Sequence, residues 1–360
     1  MRRRLALPLT LAALALGLTP AAASAAGNFA NAGLPGASPT NPLANMPWGV
    51  YRGPLDELYY AWRSARGRDR KLLAKEALQP LAYWFGAWNQ DALAADTVRS
   101  YIQSVQNGNP NALVQMAVFR VDPWEHKACQ QVPDPQQVAS YRDWVNNWAA
   151  GIGSSRVAMV LQPDLPFEAC APGHSQVAAQ EIAYAARVFS ALPHTTVYLD
   201  AGADDWERVI DIVPMLRESG IQYTRGFALG ATHYDSTGNE LIYGQKVVRA
   251  LAADGIPGMH FIINTAQNGR PFTTQQYPQE FKTGLPCTSA AQQHCVTLGI
   301  PPTTHVAANA RADGLSPRQA AIAARLCDGY LWFGRPWLYL QAGKFERNWA
   351  LEMAATTPFK

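Results

Sequence analysis

The sequence predicts an α/β fold built on a parallel sheet or barrel, and three observations carry the prediction. Val157 to Asp164, V-A-M-V-L-Q-P-D, is an almost unbroken apolar run that stops on Pro163 and a carboxylate. It is too short for a typical helix and too uniformly apolar for a strand with one wet face, so it reads as a strand buried on both sides. Thr195 to Asp200, T-T-V-Y-L-D, has the same form and also ends on an acid. Around these runs, strand patterns alternate with stretches long enough for crossover helices, which is the rhythm of parallel βα units.

Taken in order, Leu55 to Leu78 is expected as a helix, Pro80 to Phe85 as a short strand, Ala92 to Gln106 as a helix and Leu113 to Val121 as a strand. Val138 to Gly151 is expected as a helix because Val138, Tyr141, Trp144, Val145 and Trp148 recur on one face. After the Asp164 strand come a helix at Val177 to Ala191, the Asp200 strand, and a helix from Asp205 to Ser219 closed by Gly220. Tyr223 to Ala228, Gly258 to Ile263 and Tyr330 to Phe333 supply later strands.

Residues 1–25 read as a secretory signal peptide. Arg2, Arg3 and Arg4 form a basic start, Leu5 to Leu18 an apolar core, and Ala23-Ser24-Ala25 a small-residue cleavage site. No later stretch approaches the length of a membrane span, so an exported protein without a membrane anchor is expected, acting as a monomer. The remaining 26–360, about 335 residues, is enough for one large α/β domain. Residues 26–50 or so, rich in Asn, Ala, Gly and Pro, read as an extended arm leading into it. The formal net charge is +3, and the three leader arginines account for as much, which argues against a nucleic-acid partner. Five cysteines in an exported chain suggest disulfides with one thiol left over. The seven histidines are scattered and no C-x-x-C occurs, so neither a metal nor another cofactor is expected.

In α/β folds the carboxyl ends of the strands hold the chemistry, which singles out Asp164 and Asp200. A part-buried carboxyl has a raised pKa and suits a general acid. The chain also carries 11 tryptophans, of which Trp206, Trp332 and Trp337 follow or end predicted strands. Paired acids with aromatic neighbours suggest sugar chemistry, since sugar C–H faces stack on indole rings while acids protonate glycosidic oxygens.

Five segments resemble the motifs of glycoside hydrolase family 6, the inverting cellulases and cellobiohydrolases, and do so in the family's order. V-Y-L-D-A-G-A-D-D-W (Val197 to Trp206) is similar to Y-L-D-A-G-H-x-x-W, and G-F-A-L-G-A-T-H-Y (Gly226 to Tyr234) to G-F-S-L-N-V-S-N-F. L-Q-P-D (Leu161 to Asp164) resembles E-P-D, I-I-N-T-A-Q-N-G (Ile262 to Gly269) resembles I-D-T-S-R-N-G, and D-G-Y-L-W (Asp328 to Trp332) resembles D-A-Y-L-W.

The resemblance implies a distorted, incomplete β/α (TIM-like) barrel with a cleft across the strand ends, binding a β-1,4-glucan. It implies Asp164 as the general acid; Glu125, Asp122 and Asp200 are the carboxylates of this chain that stand as candidates for the base or for tuning the acid. Phe119, Asp200, Trp206, Tyr234, Asn268, Trp332 and Trp337 are the residues expected to bind substrate. It also implies a Cys129–Cys170 disulfide, and a second bridge for Cys287 with either Cys295 or Cys327. The family's R-D-C is here Lys127-Ala128-Cys129, and its K-x-P-G-E-S-D-G is replaced by Gly334 to Gly343. A hydrolase of another cell-wall glycan and a non-catalytic carbohydrate-binding cleft on the same fold stand as alternatives.

Overall fold

In a computed structural model, which describes residues 40–54, 56–278, 284–308, 310–335 and 344–359, the strands form one seven-stranded sheet in the order β1-β2-β3-β4-β5-β6-β7. The strands are β1 (Tyr83–Gly86), β2 (Val114–Phe119), β3 (Val157–Leu161), β4 (Thr195–Asp200), β5 (Gly226–Leu229), β6 (His260–Asn264) and β7 (Cys327–Leu331). Every neighbouring pair is parallel. The sheet curls until β1 approaches β7, where one parallel bridge, Leu81 with Trp332, spans the gap. The result is an incomplete β/α barrel. The helices are α1 (Glu57–Ser64), α2 (Gly67–Ala77), α3 (Ala94–Gln106), α4 (Pro135–Ile152), α5 (Val177–Ser190), α6 (Val209–Glu218), α7 (Thr237–Ala253), α8 (Pro317–Leu326) and α9 (Arg347–Thr356). No described helix is long and apolar enough to cross a membrane.

Local chemistry accounts for most boundaries. Helix α4 starts where Asp134 accepts the N–H groups of Gln136 and Gln137 while the Gln137 side chain accepts the Asp134 N–H, with Pro135 supplying a preset φ. The expected Leu55-to-Leu78 helix is two helices, because Ala65 is extended and Gly67 takes φ +56° at the break. Helix α6 begins at Val209 instead of Asp205, whose side chain is drawn into bonds with His233 and Thr274. Helices α7, α8 and α9 were not anticipated from periodicity. Leu55 itself, the leader and the first part of the arm lie outside the described residues.

Alternation along the strands decides what faces where. Ala117, Ala158, Val160, Tyr198, Ile262 and Phe333 pack inside the barrel. Their neighbours Val118, Met159, Leu161, Leu199, Phe227 and Ile263 pack outward under the helices. Burying each such large side chain contributes roughly 1.5–3 kcal/mol. The predicted α4 face is part of that outer layer, with Trp144 stacked on Trp148 at 4.4 Å and Trp148 against Phe85. At the amino-terminal end of the barrel, Asp328 takes two hydrogen bonds from Arg225, at 2.7 and 2.9 Å, and one from Tyr198 at 2.8 Å. This buried pair braces the face opposite the chemistry. Cys129 is bonded to Cys170 and Cys287 to Cys295, leaving Cys327 as a buried thiol.

Candidate active site

The buried run of β3 ends on an unusual backbone. Gln162 and Asp164 both have positive φ, +54° and +64°, a region that costs a non-glycine residue about 1 kcal/mol or more. Three bonds hold the turn: Gln162 N–H to the Val118 carbonyl at 2.7 Å, Val121 N–H to Gln162 Oε1 at 3.2 Å, and Asp164 N–H to Asp200 Oδ2 at 2.8 Å. The turn aims the Asp164 carboxyl into the mouth of the barrel, where Thr232 Oγ1 donates to its Oδ1 at 2.9 Å.

The electrostatics follow from this placement. Burial pushes the Asp164 carboxyl up to about 6; the bond from Thr232 pulls it back, the Glu125 charge pushes it up, and the charges of His233 and Arg335 pull it down. Asp200, fully buried, is raised well above the ordinary range by its burial and then by Asp164. Its backbone partners, Asp164, Leu165 and Gly202, work in the opposite direction. Arg335 lies with its guanidinium carbon 4.3 Å from the centre of the Trp84 ring, and burial lowers it to about 10. Asp164 and Glu125 are the charges that favour its protonated form.

A second group of side chains flanks the acid. His233 Nδ1 lies 2.7 Å from Asp205 Oδ1, and the other Asp205 oxygen accepts from Thr274 N–H and Oγ1 at 2.7 and 2.8 Å. Burial opposes the Asp205 charge, but the His233 contact and the Thr274 bonds hold its carboxyl below the usual range. The imidazole is stacked on the half-buried Trp206 indole at 4.8 Å and 10° between planes, and Phe167 meets the indole edge-on at 5.6 Å. On the opposite strands, Trp84 and Phe119 are tilted together at 5.7 Å.

The barrel mouth thus brings together Asp164, Asp200, Phe119 and Trp206 of the residues expected from sequence, with Glu125 near enough for its charge to act on Asp164. Asp122 is exposed, with Gln137 Nε2 3.5 Å from its carboxylate. Asp200 faces the backbone of Asp164 instead of open space. Three expected cleft residues are elsewhere. Trp332 has the parity opposite to the inward Phe333, so its indole is buried in the outer core and donates to the Ile300 carbonyl at 2.8 Å. Tyr234 is buried against Phe272, and the Asn268 amide is bound to the Asp235 carbonyl and Thr237 Oγ1. Trp337 lies outside the described residues. Sequence reasoning missed Trp84, Thr232, His233, Asp205 and Arg335. The available signals were A-D-D-W and T-H-Y, where the chain departs from the motifs it otherwise follows, and an indole one residue short of the end of a strand.

The sequence profile of glycosyl hydrolases family 6 matches residues 51–315. The chain belongs to that family. Endoglucanase A of Cellulomonas fimi is 32% identical over 224 residues, 61% of this chain and 47% of that protein, so this chain spans about half of that relative's length. Endoglucanase 1 of Streptomyces halstedii is 27% identical over 234 residues, 62% of this chain and 70% of the relative. Among family 6 structures, the endoglucanase Cel6 from Mycobacterium tuberculosis, in complex with methyl-cellobiosyl-4-deoxy-4-thio-β-D-cellobioside, superposes with a TM-score of 0.69 at 24% identity, covering 87% of this chain and 98% of that one. The likeness carries the fold: a family 6 barrel whose strand ends hold the Asp164 site.

Proposed function

We propose that the chain is an exported hydrolase that cleaves a β-1,4-glucan with inversion, using Asp164 as general acid. The observation that carries the reading is the Asp164 carboxyl itself, buried at the barrel mouth with its pKa raised to about 6. A carboxyl in that range keeps its proton in mildly acidic solution and can give it to the leaving glycosidic oxygen. Family membership, and endoglucanases among the relatives, support the glucan as substrate. Export is supported by the basic start, apolar core and small-residue site of the first 25 residues and by the two disulfides.

Each neighbour has a part in the step. Asp200 fixes the Asp164 backbone through the 2.8 Å bond and Thr232 orients one carboxyl oxygen. Once the proton has left, the positive charges at Arg335 and His233 stabilise the carboxylate. Inversion requires a second carboxylate to activate water on the far face of the sugar, with the two carboxyls roughly 6.5–9.5 Å apart. Glu125 is the better candidate for that base, being exposed to water and felt by both Asp164 and Arg335. Asp122 is the second candidate, while Asp200 is sealed from water. Trp206 and the Trp84–Phe119 pair supply aromatic surfaces on either side for sugar rings. Release of reducing ends from soluble β-1,4-glucan tests the reading: release that is about 10²-fold or more slower in Asp164→Asn than in the wild type supports it, and equal rates in both refute the assignment of the acid.

A further inference from the structure

We propose that Trp88 is an additional sugar-stacking platform at the rim of the barrel mouth, taking a pyranose ring of the substrate chain beyond the Trp84–Phe119 pair; the inference rests on the glucanase reading above. Ala82 and Trp84 pack with the interior of the barrel and Phe85 with the outer layer, so Gly86, the last residue of β1, occupies the next inward position. It is in register with Phe119 on β2.

Gly86 has no side chain, and the indole of Trp88 fills the space where one would stand. A Cβ added at Gly86 would lie 2.6 and 2.8 Å from Cζ3 and Cη2 of Trp88, and 2.1 Å from the Phe119 carbonyl oxygen. The six-membered ring of Trp88 therefore lies against the end of β1, where a side chain at Gly86 would begin.

The turn that presents the ring is anchored in the core. Gly86 N–H donates to Asn89 Oδ1 at 3.1 Å, Asn89 N–H returns to the Gly86 carbonyl at 2.9 Å, and the Asn89 carbonyl accepts from the buried Trp144 indole at 3.1 Å. Yet Trp88 remains 58% exposed, more than any other tryptophan among the described residues. An indole with a broad apolar face in water, carried on a hydrogen-bonded turn at the mouth of a cleft already lined by aromatics, fits the C–H face of a sugar ring.

Binding without turnover is measured in the Asp164→Asn background, by electrophoresis through soluble β-1,4-glucan and by fluorescence titration with a disaccharide and a hexasaccharide of the same linkage. Adding Trp88→Ala is expected to weaken hexasaccharide binding roughly five- to tenfold, the size of one aromatic stacking contact, and to weaken disaccharide binding less. Trp88→Tyr is expected to restore most of the loss. If Trp88→Ala binds the hexasaccharide as tightly as its parent while the wild type cleaves glucan, the Trp88 platform is overturned and the glucanase reading stands. If the parent binds neither oligosaccharide and the wild type cleaves no β-1,4-glucan, both fall together.

Discussion

The side chain of Asp200 holds the backbone of Asp164: Oδ2 accepts the Asp164 N–H at 2.8 Å, from within a fully buried position. One strand-end acid therefore serves as the mount for the other. Asp200→Asn keeps the shape but offers an amide of either orientation, and Asp200→Ala removes the acceptor. Activity on β-glucan is expected to fall in both, more in Ala, by roughly 10²-fold, as for a displaced catalytic group. Substrate binding should change less than kcat, and a KM effect larger than the kcat effect would contradict the positioning role.

As the proposed general acid, Asp164 must be protonated to act, so kcat/KM is expected to decline as pH rises through about 6, where burial has put its carboxyl. The charge at His233 is one of the influences that lower that value. His233→Gln removes the charge, and the alkaline limb of the pH profile should move to higher pH. A limb that stays in place would show that His233 does not act electrostatically on the acid.

Stability should also depend on pH. Asp56, Asp164 and Asp235 are raised to about 6 and Glu168 to about 8, in each case mainly by burial. A carboxyl whose folded pKa is raised contributes stability below its unfolded pKa, and that contribution is lost as pH rises through the folded value. Asp205 and Asp328 are lowered despite burial, by His233 and Thr274 and by Arg225 and His260 respectively, so their contribution disappears as pH falls below the ordinary carboxylate range. Thermal unfolding scans should show a maximum Tm near pH 4–5 or so, falling steadily toward pH 9. A Tm that rises from pH 5 to pH 9 would refute this account.

Glu76 sharpens the same argument. It is fully buried, both carboxyl oxygens lack a hydrogen-bond partner, and burial followed by the Asp56 charge raises its pKa well above the usual range. Glu76→Gln should match the wild type near pH 5 and unfold at a Tm a few degrees higher near pH 9, where the native chain must either bury a charge or hold a proton that the unfolded chain releases.

The opposite end of the barrel gives a purely structural contrast. Asp328→Asn breaks the buried pair with Arg225 and should destabilise the chain by about 3–5 kcal/mol in denaturant unfolding. The pH dependence of the remaining activity should be unaltered, because this pair lies at the amino-terminal face, away from Asp164.

What the sequence revealed and what it concealed divide along physical lines. The β3 and β4 runs were legible because uniform burial leaves an uninterrupted apolar string, and Asp164 and Asp200 because each run stops on an acid. Trp332 was misplaced by a single step of parity, which no composition reveals: its neighbour Phe333 faces the interior. The gap between α1 and α2 rests on extended backbone at Ala65 and Arg66 followed by a glycine at positive φ. Trp84 with Arg335 was hidden because β1 and the segment after β7 meet only when the sheet has curled, and Asp205 with His233 because their loops meet only once β4 and β5 are paired. The pairing of Cys287 was open between two partners until the loop geometry brought Cys295 within a Cα distance of 5.0 Å.

The proposed reaction is an inverting cleavage driven by Asp164. The most direct measurement is anomer-resolved proton NMR of the first products released from a β-1,4-glucan oligosaccharide, for the wild type and for Asp164→Asn. The α-anomer is expected to form first and equilibrate later, and Asp164→Asn to release product about 10²–10⁴-fold more slowly. First appearance of the β-anomer, or an undiminished rate in Asp164→Asn, would contradict it.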